Sequence, residues 1–128
     1  GPSLALKNWY ELTPGNNIEK ELTVQINNCV IYGNAADEFI IDSLANSNTL
    51  FNVTLANCLI KREVIYDYSY LSDIIWNQNP NFIDTELKDF HFNEQSPLID
   101  AGNIINYTPQ SIDGISRGST PDIGAYEF

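Results

Sequence analysis

The chain has 128 residues and a formal net charge of −11, from 17 acidic and six basic side chains. This balance excludes partners that require a basic surface, so neither nucleic acid nor an anionic membrane surface is expected to bind. No apolar run approaches the roughly 18 residues of a membrane span, so this segment is not expected to insert into a membrane. An apolar fraction of 43% is sufficient for one folded domain.

The first half of the chain contains a repeat. The stretches LALKNWY at 4–10, VQINNCV at 24–30 and VTLANCL at 53–59 can be superimposed. Apolar and polar residues alternate within them, which indicates β-strands. A loose period of roughly 20–30 residues favours a solenoid with loops of variable length. These features predict a parallel β-helix, in which equivalent residues stack on successive rungs about 4.8 Å apart.

The aligned repeat predicts five columns of stacked side chains, of which three carry the main expectations. Leu6, Ile26 and Leu55 form an apolar column that is expected to face inward. An asparagine column beside it is suited to sharp corners, because asparagine tolerates the left-handed backbone conformation. Cys29 and Cys58 are predicted to stack as small buried residues, and a disulfide between them is left open. The asparagine column consists of Asn8, Asn28 and Asn57.

Later segments provide further candidate strands. EFIID at 38–42 and EVIYDYSY at 63–70 are expected to form second faces of the rungs, and DFHF at 89–92 alternates again. The tail contains two phrases rich in turn formers, SPLIDAGN at 96–103 and PDIGAYEF at 121–128. Each phrase is predicted to be a short strand bounded by turns.

The order of motifs in the second half resembles a known family. Asn79-Pro80-Asn81-Phe82, Phe90-His91-Phe92, the stretch 96–102, Arg117 and the stretch 122–127 follow one another. This order resembles the end of right-handed parallel β-helix proteins of the pectate-lyase-like superfamily. It is most similar to the choice-of-anchor Q type of secreted and surface proteins in Bacteroidetes.

The resemblance implies an all-β fold, a right-handed single-stranded parallel β-helix. Residues 4–95 would form rungs, 96–128 would be the closing strands of the same domain, and 1–3 are interpreted as a tag remnant. The resemblance further implies an extracellular or outer-surface location and upstream rungs of the same protein as a partner. The implied function is that of a non-catalytic C-terminal segment, which closes the coil and presents a binding surface for polysaccharide or a cell-surface protein.

Two alternatives stay open beside that function. The chain could be a fragment of a polysaccharide lyase or glycoside hydrolase with its active rungs upstream, or an adhesin or protein-interaction module. Lyase chemistry needs a carboxylate cluster with a basic residue, and hydrolysis needs paired carboxylates. The sequence suggests no catalytic set, metal site or cofactor. The acidic candidates for one exposed face are Asp42, Asp67 and Asp73.

Aromatic residues provide the only ligand-like surface that the sequence predicts. Tyr66, Tyr68 and Tyr70 alternate with other residues, so a strand here would place all three rings on one side. Facing outward, they would form a platform on which sugar rings could stack. Facing inward, they would belong to the core.

The tail also contains charged residues with predicted structural roles. Arg117 lies between acidic residues and is expected to form a bidentate pair with a carboxylate. The acids near it are Asp113, Asp122 and Glu127, and structural roles are assigned to Asp100, Asp122 and Glu127. His91, the single histidine, is a weak candidate for metal binding or acid–base chemistry.

Overall fold

A computed structural model describes residues 1–45, 47–65, 68–104 and 108–128. Within these ranges the chain is all-β and contains no helix, so none that could cross a membrane. Its sheets are short, with both parallel and antiparallel pairs. The strands are β1 (Leu4–Lys7), β2 (Trp9–Thr13), β3 (Asn16–Glu19), β4 (Leu22–Asn27), β5 (Val30–Ile31), β6 (Phe39–Asp42), β7 (Phe51–Ile60), β8 (Leu71–Trp76), β9 (Phe82–Asp84) and β10 (Asp89–Phe92).

The largest sheet is parallel and is built around β7. Strands β4 and β5 pair with one edge of β7, and β8 pairs with the other. Val24 pairs with Val53 and Ile26 pairs with Leu55, so the predicted register between the second and third repeats is confirmed. Leu71 continues the column beyond Leu55. Parallel pairing in this register places like side chains on top of one another, which accounts for the repeat.

Burial follows the position of each strand in the stack. Val53 and Leu55 of the central strand are 5% and 1% exposed, whereas Val24 and Ile26 of β4 are only half-buried. Strand β7 is covered on both edges, while β4 pairs on one edge alone. The alternation in β4 and β7 therefore identifies the face that points into the core. The degree of burial depends on whether a strand has a neighbour on one edge or on both.

The first repeat departs from the prediction. Leu6 pairs with Ile41 in a separate two-stranded sheet, so it is not stacked on Ile26 and Leu55. The chain leaves β1 into an antiparallel hairpin of β2 and β3, which turns at Pro14-Gly15. Gly15 has a φ of 79°, which a residue without a Cβ adopts at no steric cost. The hairpin diverts the chain before β4 begins, so 4–10 does not align with the other two copies.

The corners of the parallel stack are formed by asparagine and aspartate. Asn28 and Asn57 have φ values of 53° and 50°, and the register places Asp73, with a φ of 52°, next in the same column. The third member is therefore Asp73, and the expectation for Asn8 is wrong. Asn8 lies directly after β1, where it is buried and both side-chain amide atoms are without a hydrogen-bond partner among the described residues.

Strand β7 contributes side chains to two cores. Beyond its corner, Cys58 and Ile60 face one core and Leu59 faces the other, so all three are fully buried. In the second core, Leu59 lies in a column with Val30 and Ile75. The buried members of the first core are Ile31, Phe39, Val53, Leu55, Cys58 and Ile60; those of the second are Leu59, Phe92, Leu98 and Ile123.

Closing strands are predicted for the tail, residues 96–128, but the tail does not continue the stack in this way. The described residues of 96–128 contain no strand, only an isolated bridge between Gln110 and Ser116. Proline at 97, 109 and 121 cannot donate a ladder hydrogen bond, and Asp100 and Gly124 have positive φ values. The tail instead packs as an irregular segment on the second core, so it covers a face of the parallel sheet.

The second half also contains an antiparallel hairpin where a further rung is predicted. Strand β10 pairs with β9 in the opposite direction, with an irregularity between Asp89 and Phe92. The alternation of residues 89–92 is therefore correctly predicted as a strand, but its partner is its neighbour in the chain. Thr85 to Lys88 form the connecting turn, in which Asp84 accepts hydrogen bonds from the amides of Glu86 and Leu87.

Candidate functional site

Two of the three predicted platform tyrosines lie together. The rings of Tyr68 and Tyr70 stack with centroids 4.8 Å apart and planes inclined by 16°. Tyr66 and Asp67 lie outside the described residues. The described residues of 63–70 belong to no strand, so a turn presents the rings. They line a cleft of about 390 Å³, called the tyrosine cleft below, together with Ser43, Asn52 and Arg62.

The tyrosine cleft combines flat rings with polar groups. The Arg62 guanidinium carbon lies 5.9 Å from the Tyr68 ring centroid, within range of a cation–π interaction. Burial, and then the neighbouring Tyr68, raises the pKa of Tyr70, while Arg62 lowers it. The Tyr70 hydroxyl is therefore neutral at neutral pH and can both donate and accept a hydrogen bond. Stacking rings with adjacent donors and acceptors suit a polyhydroxylated ring such as a sugar.

The acidic candidates do not form a cluster with the tyrosines. Asp42 accepts a hydrogen bond of 3.0 Å from the Trp9 indole nitrogen and lies 3.2 Å from the Lys7 ammonium. The Trp9 bond, followed by that of Lys7, lowers the pKa of Asp42. Asp73 is the corner residue of another sheet. Across the described part of the chain, no group of three His, Cys, Asp or Glu side chains could hold a metal ion.

A second cleft, of about 570 Å³, lies beside the second core and is called the apolar cleft. Its walls are rich in aromatic side chains. The rings of Phe82 and Phe90 pack edge to face, with their centroids 5.4 Å apart. The sequence analysis missed this site because its residues are far apart in the chain. The side chains that define it here are Cys29, Tyr32, Phe82, Phe90, Ile123 and Tyr126.

The two cysteines are free thiols at neighbouring positions of the stack: Cys29 lies between β4 and β5, and Cys58 lies in β7. The Leu59 amide donates a hydrogen bond of 3.0 Å to the Cys29 carbonyl, which sets Cys29 beside Cys58. A hydrogen bond from Cys58, partly opposed by burial, lowers the pKa of Cys29 to about 7, and the same contact raises that of Cys58. Cys58 is fully buried, while Cys29 is partly exposed and lines the apolar cleft.

His91 joins the β9–β10 hairpin to the tail. Its Nδ1 lies 2.5 Å from Asp89 and its Nε2 lies 2.7 Å from Asp113. A ring that donates to two carboxylates carries both protons, so this geometry favours the imidazolium. The hydrogen bond to Asp89, then that to Asp113, raises the pKa of His91. The Tyr126 ring lies at a centroid distance of 4.0 Å, and an imidazolium there gains from the aromatic face.

We expect the contact of His91 to weaken with rising pH. Since the folded-state pKa of His91 is raised above 6.5, its stabilisation is fully present below that pH and is lost as pH rises through the folded pKa. His91 lowers the pKa of Asp89 below its ordinary value of 3.8. In acid, the contact is therefore lost only as the pH falls below about 3.8. Melting temperatures of the native chain and of His91→Gln should differ at about pH 5.5 and converge at about pH 9. A constant difference across that range would contradict the assignment.

Arg117 forms the centre of a buried polar network in the tail. Its Nη1 donates to the Asp122 carbonyl at 2.9 Å and to Glu127 Oε2 at 3.0 Å, and its Nη2 donates to the Gly124 carbonyl at 2.7 Å. Glu127 is thus the expected carboxylate partner of Arg117. The predicted bidentate pair is not formed, because only Nη1 binds Glu127 while Nη2 donates to the Gly124 carbonyl. The Arg117 side chain is only 4% exposed.

Asp122 ties both ends of the tail together. One carboxylate oxygen accepts from the Asp100 amide and the other from the Phe128 amide, each at 2.7 Å. Asp100, at a positive φ, accepts from the Thr120 hydroxyl at 2.8 Å. These contacts lie within the tail, and the predicted structural acids are therefore placed in one network.

The corner asparagines attach the tail to the sheet. The Asn28 amide group donates to the Asn103 carbonyl at 2.8 Å and accepts from the Asn103 amide at 2.7 Å. Asn57 donates to the Ala101 carbonyl at 3.3 Å, and the Gly124 amide donates to the Asn28 carbonyl at 2.9 Å. The corner residues thus bind the tail as well as turning the chain.

Glu38, the first residue of the predicted segment 38–42, is buried, which the sequence analysis did not predict. This carboxylate is 2% exposed and accepts hydrogen bonds from the Ser3 amide and hydroxyl and from the Ala35 amide. The bond from the Ser3 hydroxyl is the main cause of a lowered pKa for Glu38. Its backbone also pairs with β1, since the Leu4 amide donates to the Glu38 carbonyl. The role of this carboxylate is structural: it fixes the start of β1.

Comparison with known proteins adds no relative: no family, curated protein or solved structure matches the chain.

Proposed function

We propose that this chain is a non-catalytic C-terminal segment of a secreted or surface right-handed parallel β-helix protein, and that it binds glycan at the tyrosine cleft. The stacked Tyr68 and Tyr70 rings beside Arg62 are the observation on which the binding proposal rests. Carbohydrate recognition commonly combines an aromatic face with a few polar groups, and this cleft offers both.

The register of the central sheet supports the β-helix part of the proposal. Strands β4, β7 and β8 come in this order along the chain and lie parallel in one sheet, and their corner residues, Asn28, Asn57 and Asp73, form one column. Crossovers between parallel strands of one sheet are right-handed in about 98% of cases. Residues 96–128 cover a face of the sheet, and no contact described above places them over an end of a coil. Closure of the coil by these residues therefore stays a prediction.

The separation of the acidic candidates Asp42 and Asp73 supports the proposal that this chain is non-catalytic. Asp42 is paired with Trp9 and Lys7, and Asp73 lies on a different sheet, so neither forms the paired carboxylates that hydrolysis needs. The negative charge of the chain disfavours polyuronates as ligands and favours neutral glycans.

The test is a binding screen against an array of neutral oligosaccharides, followed by calorimetric titration of the best ligand. We expect Tyr70→Ala to weaken binding about tenfold, because a ring that stacks on a sugar contributes about 1–1.5 kcal/mol. Tyr10→Ala is the matched control, since Tyr10 is 54% exposed on the β2–β3 hairpin and away from the cleft.

Two results would count against this proposal. Binding that survives Tyr68→Ala and Tyr70→Ala unchanged would place the glycan elsewhere. Release of reducing sugar or of an unsaturated product during the titration would favour the alternative of a lyase or hydrolase fragment.

A further inference from the structure

The apolar cleft is held open by backbone contacts between distant segments. The Gly124 amide donates to the Asn28 carbonyl at 2.9 Å, the Ile123 amide to the Leu98 carbonyl at 3.0 Å, and the Ile112 amide to the Ala125 carbonyl at 2.8 Å. Gly124 has a φ of 112°, and a Cβ at this position would lie 3.5 Å from Val30 Cγ2. The walls are thus fixed before any ligand arrives, and a preformed site avoids the entropic cost of ordering.

The size and chemistry of the cleft match a small-molecule site. Its volume of about 570 Å³ falls within the roughly 300–1,000 Å³ that is typical of such pockets. Tyr32, Phe82, Phe90 and Tyr126 contribute ring surfaces, and Ile123 contributes aliphatic surface. This lining offers extensive apolar area to a flat ring and few hydrogen bonds.

Charge narrows the class of ligand. Among the described residues, the cleft lining contains no Asp, Glu, Lys, Arg or His, so a charged ligand would lose its hydration without gaining an ionic partner from them. The nearby carboxylates of Asp89 and Asp113 are already hydrogen-bonded to His91. The net charge of −11 repels anions in addition.

We propose that the apolar cleft binds an uncharged aromatic small molecule, with its rings between Phe90 and Tyr126 and its edge near Cys29. This site is separate from the tyrosine cleft, which lies on other residues, and it does not depend on glycan binding. Cys29 lines the cleft with a thiol that can be labelled selectively, so its reactivity reports whether the cleft is occupied.

The neutral probe N-phenyl-1-naphthylamine tests the proposal by its fluorescence. We expect saturable binding to the native chain and at least tenfold weaker binding of the anionic analogue 8-anilinonaphthalene-1-sulfonate. Ala125→Trp should weaken binding of the neutral probe at least tenfold, because Ala125 lines the cleft and is exposed, so that a large side chain there fills it. Ala5→Trp, at an exposed position of β1, is the matched control and should bind as the native chain does.

Location is tested by thiol protection. Mass spectrometry of the chain treated with N-ethylmaleimide should show Cys29 labelled in the folded protein and Cys58 unlabelled, and the neutral probe should slow labelling of Cys29 at least fivefold. Phe90→Leu gives a second variant, milder than Ala125→Trp, and should weaken binding to a smaller degree. The proposal fails if the neutral probe does not saturate, if Ala125→Trp binds it normally, if Cys29 is not protected, or if the anionic analogue binds equally well.

Discussion

Deletion of residues 122–128 is expected to unfold the domain or cause it to aggregate. The deletion removes Ile123, which is fully buried, and Tyr126, which packs against the second core. Burial of such a side chain contributes about 1.5–3 kcal/mol. The carboxylates of Asp122 and Glu127 are lost as well, and Arg117 is left without its main partners. Together these losses approach the roughly 5–15 kcal/mol of total stability that a domain of this size has.

Aggregation is expected because the deletion uncovers part of the face that the tail covers. Val30, Leu59 and Ile75 would lose the cover of Ile123 and Tyr126, so their apolar column would become more exposed. The measurement is thermal unfolding with light scattering. Phe128→Ala is the control, since Phe128 is 67% exposed and its backbone amide remains. A truncated chain that stays monomeric with an unchanged melting temperature would show that the tail is an appendage.

The second large effect is expected for Arg117→Ala. The substitution leaves the Glu127 carboxylate, which is 11% exposed, and the carbonyls of Asp122 and Gly124 without their donor. Removing one partner of a buried ion pair costs about 3–5 kcal/mol, because the remaining charge is desolvated and uncompensated. Urea unfolding should therefore show a large fall in the midpoint at unchanged slope.

Two companion variants separate the charge from the hydrogen bonds of Arg117. Glu127→Gln removes the negative charge but keeps an acceptor for Nη1, so it should cost less than Arg117→Ala. Arg117→Lys keeps the positive charge. A lysine ammonium lacks the planar fork of a guanidinium, so it cannot bind the Glu127 carboxylate and the Gly124 carbonyl at the same time in this geometry. A loss below about 1 kcal/mol for Arg117→Ala would show that the network is dispensable.

The central register was accessible from the sequence because it is a periodic property. Val24 aligned with Val53, and Asn28 with Asn57, since identical backbone environments select similar side chains at each level of a stack. The true third level, LSDIIW at 71–76, was visible in the same way, with Asp73 in place of asparagine. The Pro14-Gly15 pair was the signal for the hairpin that removes residues 4–10 from the column.

The clefts and the tail contacts could not be predicted by the same reasoning. Asn28 and Asn103 are 75 positions apart and are joined through side-chain atoms, for which no period exists. His91 shows the difference: its partner Asp89 is two positions earlier in the chain, but its other partner, Asp113, comes from the tail. Irregular segments are positioned by individual hydrogen bonds, and these leave no repeating pattern in the sequence.

The attachment of the tail to Asn28 has a consequence for the order of folding. The hydrogen bonds between Asn28 and Asn103, and between Gly124 and Asn28, close loops of most of the chain, so their entropic cost is met only late. During synthesis, the parallel strands are complete once residue 76 has emerged, whereas their outer column of Val30, Leu59 and Ile75 waits for residues 98–126. A nascent chain in this interval exposes an apolar face, and its solubility depends on rapid arrival of residues 98–126.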